Sequence, residues 1–199
     1  TVGDGPGATT ASGAATFTSI YETTLESVAA TTNIILQANN EIIISDLSDN
    51  NLSLKQTNGN TVTFQTLRNS ISRDTDGNIT SSTGDIRFLA TNDTITTQGG
   101  DIIFKAKDDL VIGSLNSNGG DISLTGKTLN LLGSINSGAG DVSIDGSSNI
   151  YLGGSALTGC GVGSANLCDM SIVQSKLNNI NGNKLTIGGT LSCLLYTSP

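Results

Sequence analysis

From Asn33 onward the chain alternates short apolar runs with polar breaks. Ile34 to Leu36, Ile42 to Ile44, Leu52 to Leu54 and Val62 to Phe64 are each bounded by Asn, Asp, Ser or Gly nearby. Leu52, Leu54, Val62 and Phe64 occupy every second position, the period of a strand with one face turned inward. Runs this short, separated by turn-forming residues, predict strands rather than helices. Past Gly100 the alternation becomes a repeat. Gly-Asp recurs at Gly100-Asp101, Gly120-Asp121 and Gly140-Asp141, a period of about 20 residues. The units read GDIIFKAKDDLVIGSLNSNG, GDISLTGKTLNLLGSINSGA and GDVSIDGSSNIYLGGSALTG. Ile102, Ile122 and Val142 share a column, as do Phe104, Leu124 and Ile144, then Ile112, Leu132 and Leu152, then Gly113, Gly133 and Gly153. Gly84-Asp85 stands less than one period before Gly100 and marks a shorter preceding unit.

A unit of that length cannot bury its apolar side alone and must stack on its neighbours, which is the signature of a solenoid. The expected fold is all-β: a right-handed parallel β-helix with turns of about 20 residues, strands about 4.8 Å apart, and about eight turns from length over period. The hand follows from the preference of parallel crossovers. Each turn should carry two clear strands and a weaker third, such as Ser114 to Asn116.

Residues 1–29 read as a Gly-, Ala- and Thr-rich linker with one short helical turn over Thr24 to Ala29, where Thr23 and Glu26 have capping-box spacing. Residues 30–190 carry the β-helix repeats. Two stretches break the beat: Gln65 to Thr83, with Arg68, Arg73, Asp74 and Asp76 close together, and Gly159 to Met170. Both are expected to be excursions from the coil, where solenoids carry binding surfaces, although for Gln65 to Thr83 a solvated turn with incidental ion pairs is the favoured reading. The ending CLLYTSP resembles a translated sequencing-adapter read-through, so residues 191–199 are expected to be non-native or a truncated last strand.

Composition narrows the function classes. Aromatic residues make up 4% and Trp is absent, against 25 Gly, too little bulk for a round core but enough for a stack in which each turn buries a few aliphatic side chains. A net charge of −8, with nine Lys and Arg, excludes a nucleic-acid surface. No apolar run is long enough for a transmembrane helix. The sequence starts at Thr1 without an initiator Met or signal peptide, as an internal piece of a longer polypeptide would.

The sharpest candidate chemistry is the Asp column: Asp101, Asp121 and Asp141, with Asp85 beside them. Like charges at strand spacing repel by about 1 kcal/mol in water, so something must compensate. Either each carboxylate accepts a backbone N–H of its own corner, with Gly supplying an unusual φ just before it, or the ladder holds cations such as Ca²⁺. The spacing of EF-hands and of calcium-binding nonapeptides is missing, so the first reading is favoured and no metal or other cofactor is expected. Asn116 with Asn136, and Ser117 with Ser137, form further columns, and stacked Asn side chains can form an amide ladder along the coil axis.

Cys160 and Cys168 could close a disulfide or remain two thiols. With three Cys and no His, structural zinc is disfavoured. A Ser–His nucleophile is impossible, the three Tyr are scattered, and Glu22, Glu26 and Glu41 all precede the regular units. Asp108-Asp109 faces Thr128-Leu129 and Ser148-Asn149 in the later units and should form no ladder. No catalytic residue is expected. An ice-binding Thr-x-Thr face is suggested only by Thr61-Val62-Thr63 and Thr94-Ile95-Thr96, which do not recur at the repeat spacing.

In GGDISLTGKTLNLLGSINSGAGDVSI, KLNNINGNKLTIGG and TTNIILQANNEIIISDL, the sequence resembles filamentous haemagglutinin-like exoproteins, across Ala30 to Thr190. That resemblance implies a right-handed parallel β-helix, two-partner secretion through an outer-membrane partner, and a role in adhesion at the cell surface. It brings no catalytic residues. The expected function is a non-catalytic structural or adhesive shaft segment of a large secreted or surface-displayed bacterial exoprotein, with a cell-surface or glycan target. The alternatives are a carbohydrate-active β-helix enzyme, lyase or hydrolase, and a calcium-stabilised surface repeat.

Overall fold

A computed structural model describes residues 19–68, 70–73, 79–146, 150–152, 170–189 and 193–195. The chain is mostly β, and the parallel strands fall into three long stacks. The first holds Ile34–Ala38, Thr61–Thr66, Asp101–Lys105, Ile122–Gly126, Val142–Gly146 and Leu185–Gly189. The second holds Glu41–Ile44, Asp85–Phe88, Asp109–Ile112 and Thr128–Leu131, and the third Asn51–Thr57, Thr94–Gln98, Ser114–Asn116, Ile135–Asn136 and Ile180–Asn181. Along the chain the strands visit the stacks in cyclic order, first, second, third, then first again, which makes a coil consistent with a parallel β-helix.

Every expected strand of the early runs is present, and so is Ser114–Asn116. The period-2 alternation decides which side chains enter the coil. Ile34, Val62, Ile102, Ile122 and Val142 are in register and buried, as are Phe64, Phe104, Leu124 and Ile144. Ile86, Leu110 and Leu129 line the second stack, and Leu52, Ile95, Leu115 and Ile135 the third. Three phenylalanines, Phe64, Phe88 and Phe104, meet in the core. Phe64 and Phe104 stack with ring centroids 4.7 Å apart and planes 4° from parallel, and Phe88 leans on Phe104 from the second stack at 6.2 Å.

Among the described residues the steps along the first stack are not uniform. Successive partners in the first stack are Ile34, Val62, Ile102, Ile122, Val142 and Leu185. Only the two steps from Ile102 to Val142 keep the length of the repeat; those from Ile34 to Val62, Val62 to Ile102 and Val142 to Leu185 are all longer. Among the described residues the first stack holds six strands. Within the step from Val62 to Ile102, Gln65 and Thr66 finish a strand, and Ser70–Arg73 pairs antiparallel with Ile79–Thr83. The excursion is therefore a hairpin rather than an irregular loop. Asp74 and Asp76 lie outside the described residues, as do residues 159–169 of the second expected excursion.

The helical turn also differs from expectation. It spans Glu22–Glu26, two residues earlier, and has no side-chain cap. The Glu26 carboxylate does not close a capping box; its Oε1 accepts the backbone N–H of Ser53 at 2.7 Å, and Leu25 is buried in the core. Near the other end, Ile150–Leu152 pairs in parallel with both Met170–Ile172 and Cys193–Leu195, and a second short helix spans Gln174–Leu177.

Candidate functional site

The corner that leads into the first stack carries the Asp column. In each strand the residue before the first buried aliphatic sits at the edge of the coil, facing out. Asp101, Asp121 and Asp141 occupy this position in consecutive coils, and the carboxylates are bonded from one coil to the next. Asp121 donates its backbone N–H to Asp101 Oδ1 at 2.9 Å, and Asp141 donates its own to Asp121 Oδ1 at 2.8 Å. The expectation that each carboxylate caps its own corner is thus corrected: the acceptor lies on one coil and the donor on the coil that follows.

Backbone pairing reinforces the link. The Asp121 carbonyl accepts the Ile102 N–H, and the Asp141 carbonyl accepts the Ile122 N–H, each at 2.9 Å. Both backbone groups of Asp121 are therefore committed to the preceding coil. At the top, Asp141 meets a different partner. Lys184 Nζ lies 2.7 Å from Asp141 Oδ2, and Asn183 Nδ2 donates to Asp141 Oδ1 at 2.9 Å. Hydrogen bonds from Lys184 and then Asn183 hold the Asp141 carboxyl below the usual carboxylate range, and the same contact raises the Lys184 ammonium. The ladder thus runs carboxylate to N–H and ends on a cation, which offsets the repulsion among its members.

Asn33 repeats the relation lower in the stack, its Oδ1 accepting the Thr61 N–H at 2.8 Å, while the Asp101 N–H donates to the Asn60 carbonyl. Sequence reasoning missed Asn33, Asn183 and Lys184. A signal for two of them was present: Asn33 and Lys184 stand immediately before Ile34 and Leu185, the same offset that Asp101 has from Ile102.

Asp85 does not stand beside this column. It opens a strand of the second stack, opposite Glu41, and its Oδ1 accepts the Asp109 N–H at 3.2 Å. Asp109 Oδ1 in turn accepts the Thr128 hydroxyl at 2.7 Å. Gly84-Asp85 therefore belongs to another corner, and Asp109, contrary to expectation, is part of a ladder. Its register partner is Thr128, one position nearer than the repeat predicts. The same offset pairs Ile112 with Leu131 instead of Leu132.

Glycine has two distinct tasks at these corners. Gly84 has φ +113°, a conformation that side chains resist. Gly120 has no such φ; a Cβ there would lie 2.5 Å from the Gly100 carbonyl oxygen, so the residue is small because consecutive corners touch. The unusual φ sits one residue earlier, at Gly99 and Gly119. Buried hydroxyls complete the corner: Thr97 Oγ1 donates to the Gly100 carbonyl at 2.6 Å and Ser137 Oγ to that of Gly140 at 2.7 Å, while Ser117 does the same to Gly120. In the Asn column, Asn181 Nδ2 donates to Asn136 Oδ1 at 3.1 Å, whereas Asn116 Oδ1 accepts the Asn118 N–H within its own turn.

Among the described residues the buried acids are Glu22, Asp85, Asp93 and Asp108, and burial raises the carboxyls of the last two. Asp93 accepts the Leu47 N–H with both carboxylate oxygens, at 3.3 and 3.4 Å, and burial, then Asp46, push its carboxyl above the usual range against that bond. Burial likewise raises Asp108, helped by Asp109 and opposed by Lys127, whose Nζ lies 3.9 Å away. Asp93 and Asp108 belong to separate corners and share no hydrogen bond with each other.

Among the described residues, no three Asp, Glu, Cys or His side chains converge on a point that could hold a metal ion, and no helix is long and apolar enough to cross a membrane. Thr61 and Thr63 lie in the first stack and Thr94 and Thr96 in the third, so the two Thr-x-Thr pairs form no common face. Cys160 and Cys168 lie outside the described residues. Comparison of the chain with protein-family models, with curated proteins and with solved structures gives no match.

Proposed function

We propose that the chain is a structural or adhesive shaft segment of a large secreted or surface-displayed bacterial exoprotein, built on the right-handed parallel β-helix with a basic turn of about 20 residues that the sequence suggests. The observation that carries this reading is the commitment of the outward Asp column to its own neighbouring coils. Asp101 and Asp121 each spend a carboxylate oxygen on the next coil, and Asp141 spends both of its oxygens on Asn183 and Lys184. A column of acids used in this way links rungs along a shaft rather than presenting a reacting pair.

Longer steps between coils, such as the hairpin of Ser70–Arg73 and Ile79–Thr83, leave the stacked strands and are the places for contact with a surface or glycan target. The likeness to filamentous haemagglutinin-like exoproteins supports export by two-partner secretion through an outer-membrane partner. The test is binding of the purified chain to cells, glycans and matrix, alongside a polysaccharide panel assayed for sugar release. Binding that is lost on deleting the hairpin supports an adhesive shaft, and no binding supports a purely structural one. Release of sugars overturns both.

A further inference from the structure

The chain has three Asn-Gly pairs, Asn58-Gly59, Asn118-Gly119 and Asn181-Gly182, and all three asparagines are exposed. Exposure therefore does not distinguish them, but hydrogen bonding does. Deamidation at such a pair requires the backbone nitrogen of the glycine to attack the asparagine Cγ, so both the glycine N–H and the side-chain amide must be free to move.

At Asn118 neither is free. Asn118 Nδ2 donates to the Thr97 carbonyl at 2.7 Å, and the Gly119 N–H donates to the Ser137 carbonyl at 3.0 Å. Asn181 sits in a strand paired with Asn136, its Nδ2 donates to Asn136 Oδ1, and a Cβ at Gly182 would collide with Ser137 Oγ. Asn58 differs on every count. It occupies the turn between Asn51–Thr57 and Thr61–Thr66, which is closed by the Asn60 N–H donating to the Thr57 carbonyl at 3.0 Å. Among the described residues, neither the Asn58 side chain nor the Gly59 N–H finds a hydrogen-bond partner, and nothing lies within 4 Å of where a Gly59 Cβ would stand.

We propose that Asn58 is a site of spontaneous covalent modification that the fold leaves reactive while protecting the other two pairs. The Gly59 nitrogen bonds to Asn58 Cγ as its proton leaves; the Cγ–Nδ2 bond breaks and ammonia departs, giving a cyclic succinimide. Water then opens the ring at either carbonyl, yielding aspartate or isoaspartate. The product adds a negative charge at the corner that leads into Thr61, and the isoaspartate form inserts an extra backbone atom there.

The test is incubation of the folded chain in mildly alkaline buffer, followed by peptide mapping with mass spectrometry, with a parallel sample kept unfolded in urea. The expected result is conversion of Asn58 at least tenfold faster than Asn118 or Asn181 in the folded chain, with the difference lost in urea. Gly59→Ala should slow the reaction at Asn58. Asn118 or Asn181 reacting as fast as Asn58 in the folded chain overturns the proposal, and so does an Asn58 that stays intact while the urea sample reacts.

Discussion

Asp121 Oδ1 accepts the backbone N–H of Asp141 at 2.8 Å, across the gap between consecutive coils. The side chain of one rung thus caps the main chain of the next, and the same relation joins Asp101 to Asp121. Removing the acceptor should therefore cost stability, whereas removing the charge alone should not. Asp121→Ala is expected to lower unfolding stability by about 1 kcal/mol, the usual net worth of an intramolecular hydrogen bond. Asp121→Asn keeps an oxygen for the Asp141 N–H and relieves repulsion, so it should stay within about 0.5 kcal/mol of the parent chain. Urea unfolding of both variants checks this; an Asn variant as weak as the Ala variant would show that charge, not the acceptor, matters.

Calcium should have little effect. Asp101 and Asp121 each have one oxygen engaged by a neighbouring N–H, and Asp141 has both oxygens engaged by Asn183 and Lys184. Melting curves with millimolar calcium and with chelator are expected to coincide. A rise in Tm with calcium that Asp121→Asn abolishes would restore the cation-ladder reading.

The corner glycines should separate by cause. Gly120→Ala brings a methyl to 2.5 Å from the Gly100 carbonyl oxygen and has no slack to absorb it, so a loss of about 3 kcal/mol or more is expected. Gly59→Ala meets open space and suffers only from φ +86°, a cost of about 1–2 kcal/mol. Equal losses in thermal unfolding would mean that consecutive corners are not in contact.

The buried acid gives a pH dependence of definite sign. Burial raises the Asp93 carboxyl, so its charged form is disfavoured in the folded chain; the stability it contributes is present below the unfolded carboxyl pKa, about 4, and is lost as pH rises through the raised value. Asp141 acts in the opposite direction, its contribution fading as pH falls, because Lys184 and Asn183 lower its carboxyl. Relative to Asp93→Asn, the parent chain should lose Tm as pH rises from about 4 through the raised carboxyl value. A parent chain that gains on the variant across that interval would reverse the assignment.

The inward columns were legible in the sequence because alternation and period are local properties of the chain: Ile102, Ile122 and Val142 are aligned by counting and paired by register. The outward chemistry was less legible because it depends on which coil a residue faces. Counting from Gly-Asp placed Asp85 with Asp101, yet Asp85 opens a strand of the second stack, where the steps to Asp109 and then Thr128 are not those of the repeat. Glu26 had the spacing for a local cap, and a backbone N–H from Ser53, distant in sequence, took its carboxylate instead. The hairpin escaped notice because Ile71 and Ile79 are single apolar residues in polar strands, too sparse to register as alternation.

The central claim is that residues a full unit apart occupy adjacent coils in parallel register. Ser123 and Ser143, paired on the outward face of the first stack, test it most directly. In a chain with Cys160, Cys168 and Cys193 replaced by Ser, the pair Ser123→Cys and Ser143→Cys should be joined by a short thiol crosslinker, since strand neighbours stand about 5 Å apart. Ser123→Cys with Ser134→Cys, which lies outside the first stack, should not. Rapid crosslinking of the first pair alone is the predicted result; a folded chain in which that pair stays unlinked, or in which both pairs link equally, would contradict the stacked coil.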